Sequence, residues 1–320
     1  MTDHSQHRRM LVNRLRKNRR RLGATARRLG VTCYRVYDGD IPEVPLYVDD
    51  YEGRLHISVL RRRGFTAADD RGWAQAMVAG VEEALAGPET PIYVKTRERQ
   101  KGPAQYEKFA AEGREVVVHE GGLKFVVNLT EYLDTGLFLD HRVTREMVRE
   151  RAEDKKVLNL FAYTGSFSVY AAAGGASETT TVDLSNTYLG MAEVNLKLNG
   201  LAGRQHEIVR SDILRWLEQE LPARRHRYDL VVFDPPTFSR SKKMVRDLDI
   251  QRDHPWMLKY VVEMTRPGGE IYFSTNFRDF LPRFDELQGL AVEEITSETI
   301  PFDFQYSQPH RCWRMRVASS

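Results

Sequence analysis

Val157-Leu158-Asn159-Leu160-Phe161-Ala162-Tyr163-Thr164-Gly165-Ser166 decides how the second half of this 320-residue chain folds. An apolar run of strand length reaches a glycine, and a helix-forming stretch follows at once. Downstream the pattern repeats. Strands are predicted at 157–163, 178–183, 206–212, 228–234 and 271–276, with helices at about 166–174, 186–199, 213–220 and 251–265. This alternation predicts an α/β domain with a mostly parallel, doubly wound sheet covered on both faces. Two further strands, 291–300 and 311–317, follow with no helix between them, so the sheet is expected to end in an antiparallel hairpin.

Upstream the signals differ. Val44–Val48 and Leu55–Leu60 flank Asp49-Asp50-Tyr51-Glu52-Gly53, a hairpin turn. Residues 69–86 place Trp73, Met77, Val81 and Leu85 on one helix face. Pro91–Thr96 and Glu115–His119 read as strands, and Leu123–Leu129 follows a Gly121-Gly122 turn. Residues 97–112, with Arg97, Arg99, Lys101 and Lys108, read as a mobile basic loop. In Asp134–Arg142 apolar and polar residues alternate, which predicts an ordinary strand with Phe138, Asp140 and Arg142 on one face. The expected organisation is a basic helical arm over 1–40, a small α+β RNA-binding domain over 41–130 and a catalytic domain over 131–320.

Charge is distributed unevenly. Residues 1–35 hold eleven Lys/Arg and one acid, a net +10; the remainder holds 48 − 11 = 37 basic and 45 − 1 = 44 acidic residues, a net −7. Leu11, Leu15, Leu22, Ala26 and Leu29 share one helix face within 5–29, and Arg14, Arg16, Lys17, Arg19, Arg20 and Arg21 fill the rest. Such a helix is an electrostatic footprint for a polyanion, RNA being the simplest. A solvated surface helix is the plainer reading. A membrane-surface helix ranks third, because the apolar side lacks Trp and Phe. No apolar run is long enough to cross a bilayer and no signal peptide is evident, so a cytoplasmic location is expected. Cys33 and Cys312 stand in no metal-ligand spacing and read as small buried hydrophobes, and no metal is expected.

In a doubly wound sheet the ligand sits beyond the carboxyl ends of the strands. Gly165 lets the first turn tighten, although a plain turn explains it nearly as well, and the dinucleotide G-x-G-x-x-G is absent. Asp183 ends the second strand, 18 residues after Gly165, where an acid reaches ribose hydroxyls or else caps the next helix. Asp212, ending the third, would accept from an adenine amino group, cap helix 213–220, or do both. The fourth strand ends Val231-Val232-Phe233-Asp234-Pro235-Pro236-Thr237-Phe238, the most specific local signal. Three apolar residues deliver Asp234 to the ligand edge, two prolines fix the backbone, and an aromatic stands ready to stack on a base. Base-directed methyltransferases hold their target with such an element; a Pro-stiffened turn is the alternative. Arg240, Lys242 and Lys243 follow in a basic loop suited to phosphate.

Together DTGLFLDHR (134–142), NLFAYTGSFSVYAA (159–172), VDLSNTYL (182–189) and DPPTFSRSKKM (234–244) resemble the bacterial 23S rRNA guanine-N7 methyltransferases, the RlmK family. The likeness extends to NRLRKNRRRLG and CYRVYDGDIP near the start. In many bacteria that activity is one half of a fused protein whose other half methylates guanine N2. This chain begins at the basic helix, so the resemblance implies a standalone version or an isolated half. It also implies a class I (Rossmann-like) methyltransferase fold with a terminal hairpin that dinucleotide dehydrogenases lack. S-adenosyl-L-methionine would be the donor, and a guanosine in domain V of 23S rRNA, free or in a pre-ribosomal particle, the target. By that likeness Phe138, Asp140, Arg142, Phe161, Tyr163, Thr164 and Gly165 line the cofactor site. Asp183 and Leu184 would serve the ribose, Asp212 and Ile213 the adenine, and Asp234 to Phe238 the target base, with Asp234 also bordering the cofactor.

Three rivals compete. A cytosine-C5 enzyme of the related RlmI type needs a nucleophilic cysteine just after the fifth strand, where this chain reads Phe273-Ser274-Thr275-Asn276-Phe277. A guanine-N2 enzyme is closer, because an acid-Pro-Pro element suits exocyclic amines too. A non-catalytic RNA-binding assembly factor would not need Gly165, Asp183 and Asp234 together.

Overall fold

The computed structural model describes residues 4–62, 64–97, 115–130, 134–241 and 244–319. The basic stretch 98–112 and Lys242 and Lys243 therefore lie outside the described residues, as does the side chain of Arg97. The chain divides into two compact units. One comprises Met1–Gly122, Val127–Leu139 and Pro301–Gln308; the other Leu123–Val126, Asp140–Ile300 and Pro309–Ser320.

The first unit opens with helix α1 (His4–Leu29), followed by strands β1 (Cys33–Asp38), β2 (Leu46–Tyr51) and β3 (Arg54–Leu60), helix α2 (Ala67–Leu85) and strand β4 (Ile92–Arg97). The sheet runs β1-β2-β3-β4, antiparallel except for β3 and β4, which are parallel because α2 carries the chain back between them. Leu11, Leu15, Leu22 and Ala26 of α1 share one core with Trp73, Met77 and Val81 of α2 and with the inner face of the sheet. Helix α1 is thus built into the unit and is not an appendage to it. Leu29, expected on the buried face, is 57% exposed. The helix ends there in a Schellman motif: Gly30 takes φ 66°, Val31 N–H donates to Ala26 O at 2.8 Å and Gly30 N–H to Arg27 O at 3.3 Å.

Strand β1 was not foreseen. The hairpin turn is also tighter than the acid-rich stretch implies: only Glu52 and Gly53 turn, at φ 54° and 85°. Asp49 stays in strand because its carboxylate accepts from Arg35 Nε at 2.7 Å and Nη2 at 3.2 Å across the pair. Beyond β4 the chain forms strands β5 (Glu115–Glu120) and β6 (Leu123–Asn128) as predicted.

Residues 134–142 are not a strand. They form a turn around Gly136, at φ 102°, and a 3-10 turn over Leu139–His141 that leads directly into helix α3 (Arg142–Glu150). Phe138, Asp140 and Arg142 therefore share no strand face. Phe138 is 41% exposed and belongs to the first unit, whereas Asp140 and the buried Arg142 belong to the second.

The second unit continues with β7 (Lys156–Leu160), α4 (Ser166–Ala173), β8 (Glu178–Asp183), α5 (Asn186–Leu198), β9 (His206–Arg210), α6 (Ile213–Arg224) and β10 (Tyr228–Phe233). Then come β11 (Phe238–Ser239), β12 (Leu248–Asp249), α7 (Ile250–Met264), β13 (Thr265–Thr275), β14 (Leu290–Glu294), α8 (Thr296–Thr299) and β15 (Arg311–Val317). The sheet order is β14-β15-β13-β10-β7-β8-β9, parallel from β13 to β9, with β15 antiparallel to both its neighbours. The predicted α/β class with a terminal antiparallel pair is observed. The strand predicted over 291–300 is shorter: β14 ends at Glu294 and the one-turn helix α8 takes Thr296–Thr299. Along β10 the side chains divide by period two. Val231 and Phe233 pack with α6 and α7, while Leu230 and Val232 pack with α3 and α4, which is why the strand reads as a continuous apolar run.

Candidate active site

Beyond the carboxyl end of β7 the backbone bends sharply. Phe161 and Tyr163 take φ 56° and 52°, unusual for side chains of that size, and Gly165 takes 71°. A Cβ on Gly165 would lie 2.6 Å from the Ala192 Cβ of α5, so glycine is required by both conformation and space. The turn is held from outside. Tyr163 N–H donates to Asp183 Oδ2 at 2.9 Å, and Asn195 Nδ2 donates to Thr164 O at 3.0 Å. Tyr163 packs edge-on against Tyr188 at 4.3 Å, and Phe161 against Phe233 at 5.9 Å.

Asp183 takes its second backbone donor, Ser185 N–H, on Oδ1 at 2.8 Å. Burial raises its pKa, and the N–H groups of Ser185, Tyr163 and Leu184 pull in the opposite direction. It does not cap α5; Ser185 does, accepting from Tyr188 N–H. An acid held by backbone donors at the end of β8 is a rigid acceptor. Asp212 does cap α6: Oδ1 accepts from Leu214 N–H at 3.2 Å, and Oδ2 accepts from Val245 N–H at 2.7 Å. Of the two roles open to Asp212, the cap is the one the structure displays. Ile213 is buried in the core beside it.

Asp234 emerges at the end of β10 as predicted. Ser274 Oγ donates to its Oδ1 at 2.6 Å, and His141 Nε2 stands 3.4 Å from its Oδ2. Pro235 is buried, and Phe238 is 48% exposed. Thr237 anchors the loop, its hydroxyl donating to Asn276 Oδ1 and its carbonyl accepting from Ile250 N–H at 3.1 Å. Phe238 and Ser239 pair with Asp249 and Leu248, which closes the loop at its base and presents Phe238 outward. Arg240 is largely exposed, 3.7 Å from Asp247.

Three residues at this end were missed as site residues: His141, His310 and Ser274. The two imidazoles stack, with centroids 4.3 Å apart and planes 9° from parallel. His310 Nδ1 faces Asp140 Oδ2 at 3.1 Å and its Nε2 faces Thr299 Oγ1 at 3.1 Å. Burial lowers the His141 pKa, with His310 and Arg145 acting the same way against Asp234 and Asp140. Asp140, His141 and His310 bring metal-ligand atoms within 4.8 Å of one another. The stacking argues against shared coordination. An imidazole lone pair lies in its ring plane, so an ion in the plane of one ring stands well out of the plane of the other.

Cys312 lies opposite Ser274 in the β13–β15 register, fully buried. Burial, with Asp234 and Glu294, pushes its thiol well above the ordinary range, the reverse of an activated nucleophile. The arginines of α1 are largely engaged within their own unit: Arg14 with Asp40, Arg16 with Glu83 at 3.3 Å and Arg19 with Asp50 at 4.0 Å. Lys17 and Arg20 are exposed.

Residues 87–299 match the model of the S-adenosylmethionine-dependent methyltransferase family. The chain is 50% identical over 313 residues to the ribosomal RNA large subunit methyltransferase K/L of Methylococcus capsulatus, covering 96% of this chain and 42% of that protein. It is 46% identical over 321 residues to the ribosomal RNA large subunit methyltransferase K of Neisseria meningitidis, covering 96% of this chain and 87% of that protein. The chain thus spans less than half the length of the K/L relative. Among solved structures it is similar to SMU.776, a proposed methyltransferase complexed with SAH, with TM-score 0.72 at 23% identity, covering 96% of this chain and 82% of that one; this likeness speaks to the fold.

Proposed function

Since the chain belongs to the S-adenosylmethionine-dependent methyltransferases, in the family of the large-subunit rRNA methyltransferase K, and uses S-adenosylmethionine as donor, we propose that it methylates guanine N7 of 23S rRNA. The observation that carries this reading is the Asp234 carboxylate, held at the end of β10 by Ser274 and followed by an exposed aromatic, Phe238.

The residues beyond β7 and β8 fit a nucleoside-bearing donor. Asp183 is fixed by backbone N–H groups and keeps lone pairs for ribose hydroxyls, and the turn from Phe161 to Gly165 brings backbone close to a ligand. Asp140 and Arg142 join this site in our reading, with Leu184 beside Asp183; Phe138 keeps the role its motif implies. When bound, the donor supplies an electrophilic methyl on a sulfonium.

Guanine N7 carries a lone pair and no proton at neutral pH. As the N–CH3 bond forms the C–S bond breaks, and the base becomes cationic without any proton leaving. The chain therefore needs no general base. Its task is alignment, which supplies ~7–11 kcal/mol when geometry is good, and a carboxylate near the developing positive charge. Asp234 is placed for the second and Phe238 for stacking on an extruded guanine. The buried, protonated thiol of Cys312 speaks against pyrimidine C5 chemistry. Exposed Lys17 and Arg20 of α1, with Arg240, suit phosphate contacts that position RNA without reading its sequence.

The test is chemical. N7-methylguanosine is cationic and its ring is labile, so borohydride followed by aniline should cleave the product RNA at the modified nucleotide. A methylated nucleotide that resists this treatment moves the assignment to guanine N2.

A further inference from the structure

Two carboxylates approach one nitrogen of His141: Asp234 Oδ2 lies 3.4 Å and Asp140 Oδ2 3.9 Å from Nε2. The other nitrogen, Nδ1, is buried and has no hydrogen-bond partner among the described residues. A proton belongs where acceptors are. Nε2 therefore carries it, and Nδ1 keeps its lone pair, because a second proton would bury an unpartnered charged N–H. The ring plane is fixed as well. His310 stacks on it at 4.3 Å and is itself anchored at both ends by Asp140 and Thr299, while Phe167 packs edge-on at 5.7 Å from α4.

We propose that His141 is a positioning residue for methyl transfer: its Nε2–H holds the second oxygen of Asp234, so that the carboxylate meets the target base in one orientation with its charge intact. Ser274 holds the first oxygen, and His310 keeps the His141 ring in plane. The proposal rests on the reading of Asp234 as the acid that faces the base. A separation of 3.4 Å is long for a hydrogen bond, and contacts of this kind tighten when substrate binds. A doubly held carboxylate cannot rotate away from a base that arrives unprotonated and leaves cationic. Neutral His141 also leaves the charge on Asp234, which an imidazolium at the same place would largely cancel.

The test compares His141→Leu, which removes the donor, with His141→Gln, whose amide nitrogen reaches the position of imidazole Nε2. In full-length protein, His141→Leu should lower kcat about tenfold or more with cofactor affinity changed less than about twofold, and His141→Gln should recover most of that loss. A merely structural histidine predicts equal losses in both variants, since both lose the stack, and that result overturns the proposal. Asp234→Asn is measured alongside. Undiminished turnover there overturns the base-facing reading and this proposal with it. Diminished turnover there, with wild-type kcat in His141→Leu, overturns the positioning role alone. If His141→Leu does not fold, long-range 1H–15N correlation on the wild-type imidazoles decides. His141 should appear near neutral pH as the Nε2–H tautomer, and an Nδ1–H tautomer or an imidazolium overturns the proposal.

Discussion

Ser274 and Asp234 stand one residue past the paired Phe273 and Phe233 of neighbouring parallel strands, and the serine hydroxyl donates to the carboxylate at 2.6 Å. The sheet register thus places a donor beside the acid without any loop having to find it. Two substitutions separate holding the acid from the acid itself. Asp234→Ala should reduce turnover by more than about tenfold while cofactor binding persists, and Ser274→Ala should give a smaller loss, because the carboxylate and its charge remain in place. Steady-state kinetics with calorimetric cofactor binding measure both, and equal losses in turnover and binding would place Asp234 on the cofactor instead.

Asp183 reports on the cofactor alone. Asp183→Ala should weaken S-adenosylmethionine binding by roughly ten- to a hundredfold. The thermal shift given by saturating ligand in the wild type should shrink accordingly. An undiminished shift would remove Asp183 from the ribose.

Cys312 faces Ser274 across the β13–β15 pair, and Ser274 lies in the stretch 273–277 that carries the nucleophile in the related pyrimidine C5 enzymes by the likeness above. The burial of Cys312 predicts no such role. Cys312→Ala should retain turnover within about threefold and lose about 1 kcal/mol of stability from a small cavity. Abolished turnover in a folded variant would revive the C5 chemistry.

Deleting α1 cannot test its role, because Leu11, Leu15 and Leu22 belong to the core of the first unit. Neutralising the exposed Lys17 and Arg20 leaves that core untouched. If both meet phosphate, the double glutamine variant should flatten the slope of log affinity against log salt by about 1.4–1.8. It should leave cofactor affinity alone. An unchanged slope would make the helix a solvated face and nothing more.

His141, His206 and His254 all have pKa values lowered from the ordinary 6.5, burial being the first cause in each. Unfolded histidines take up protons first as pH falls, so the unfolded state binds more protons in the window below 6.5. Stability from these groups is complete above that pH and is lost as pH falls toward their folded values. The raised pKa values of Asp38, Asp50 and Asp183 act in the opposite sense, over windows that open at the ordinary 3.8 and extend upward to their folded values. Urea denaturation from pH 8 down to about 5 should show a falling midpoint below about 6.5, and a flat profile would contradict the buried neutral imidazoles.

The layered α/β architecture, the helix α1 and the location of Asp183, Gly165 and Asp234 can be read from residue pattern alone. Each of these is written in local periodicity or in the end of an apolar strand, and a doubly wound sheet places strand ends at the ligand edge whatever the loops do. The remainder depends on contacts between residues distant in the chain. Period-two alternation over 134–142 is shared by a strand and by a turn feeding a helix, and nothing local distinguishes them; helix α3 takes the segment by beginning at Arg142. The helix cap expected of Asp212 is made to Leu214, and its second oxygen is taken by Val245, 33 residues away. Strand β15 sets Cys312 beside Ser274, and the residue just before that strand, His310, stacks on His141. Those juxtapositions follow from sheet register and chain return, which join residues far apart in sequence and leave no periodic trace in it.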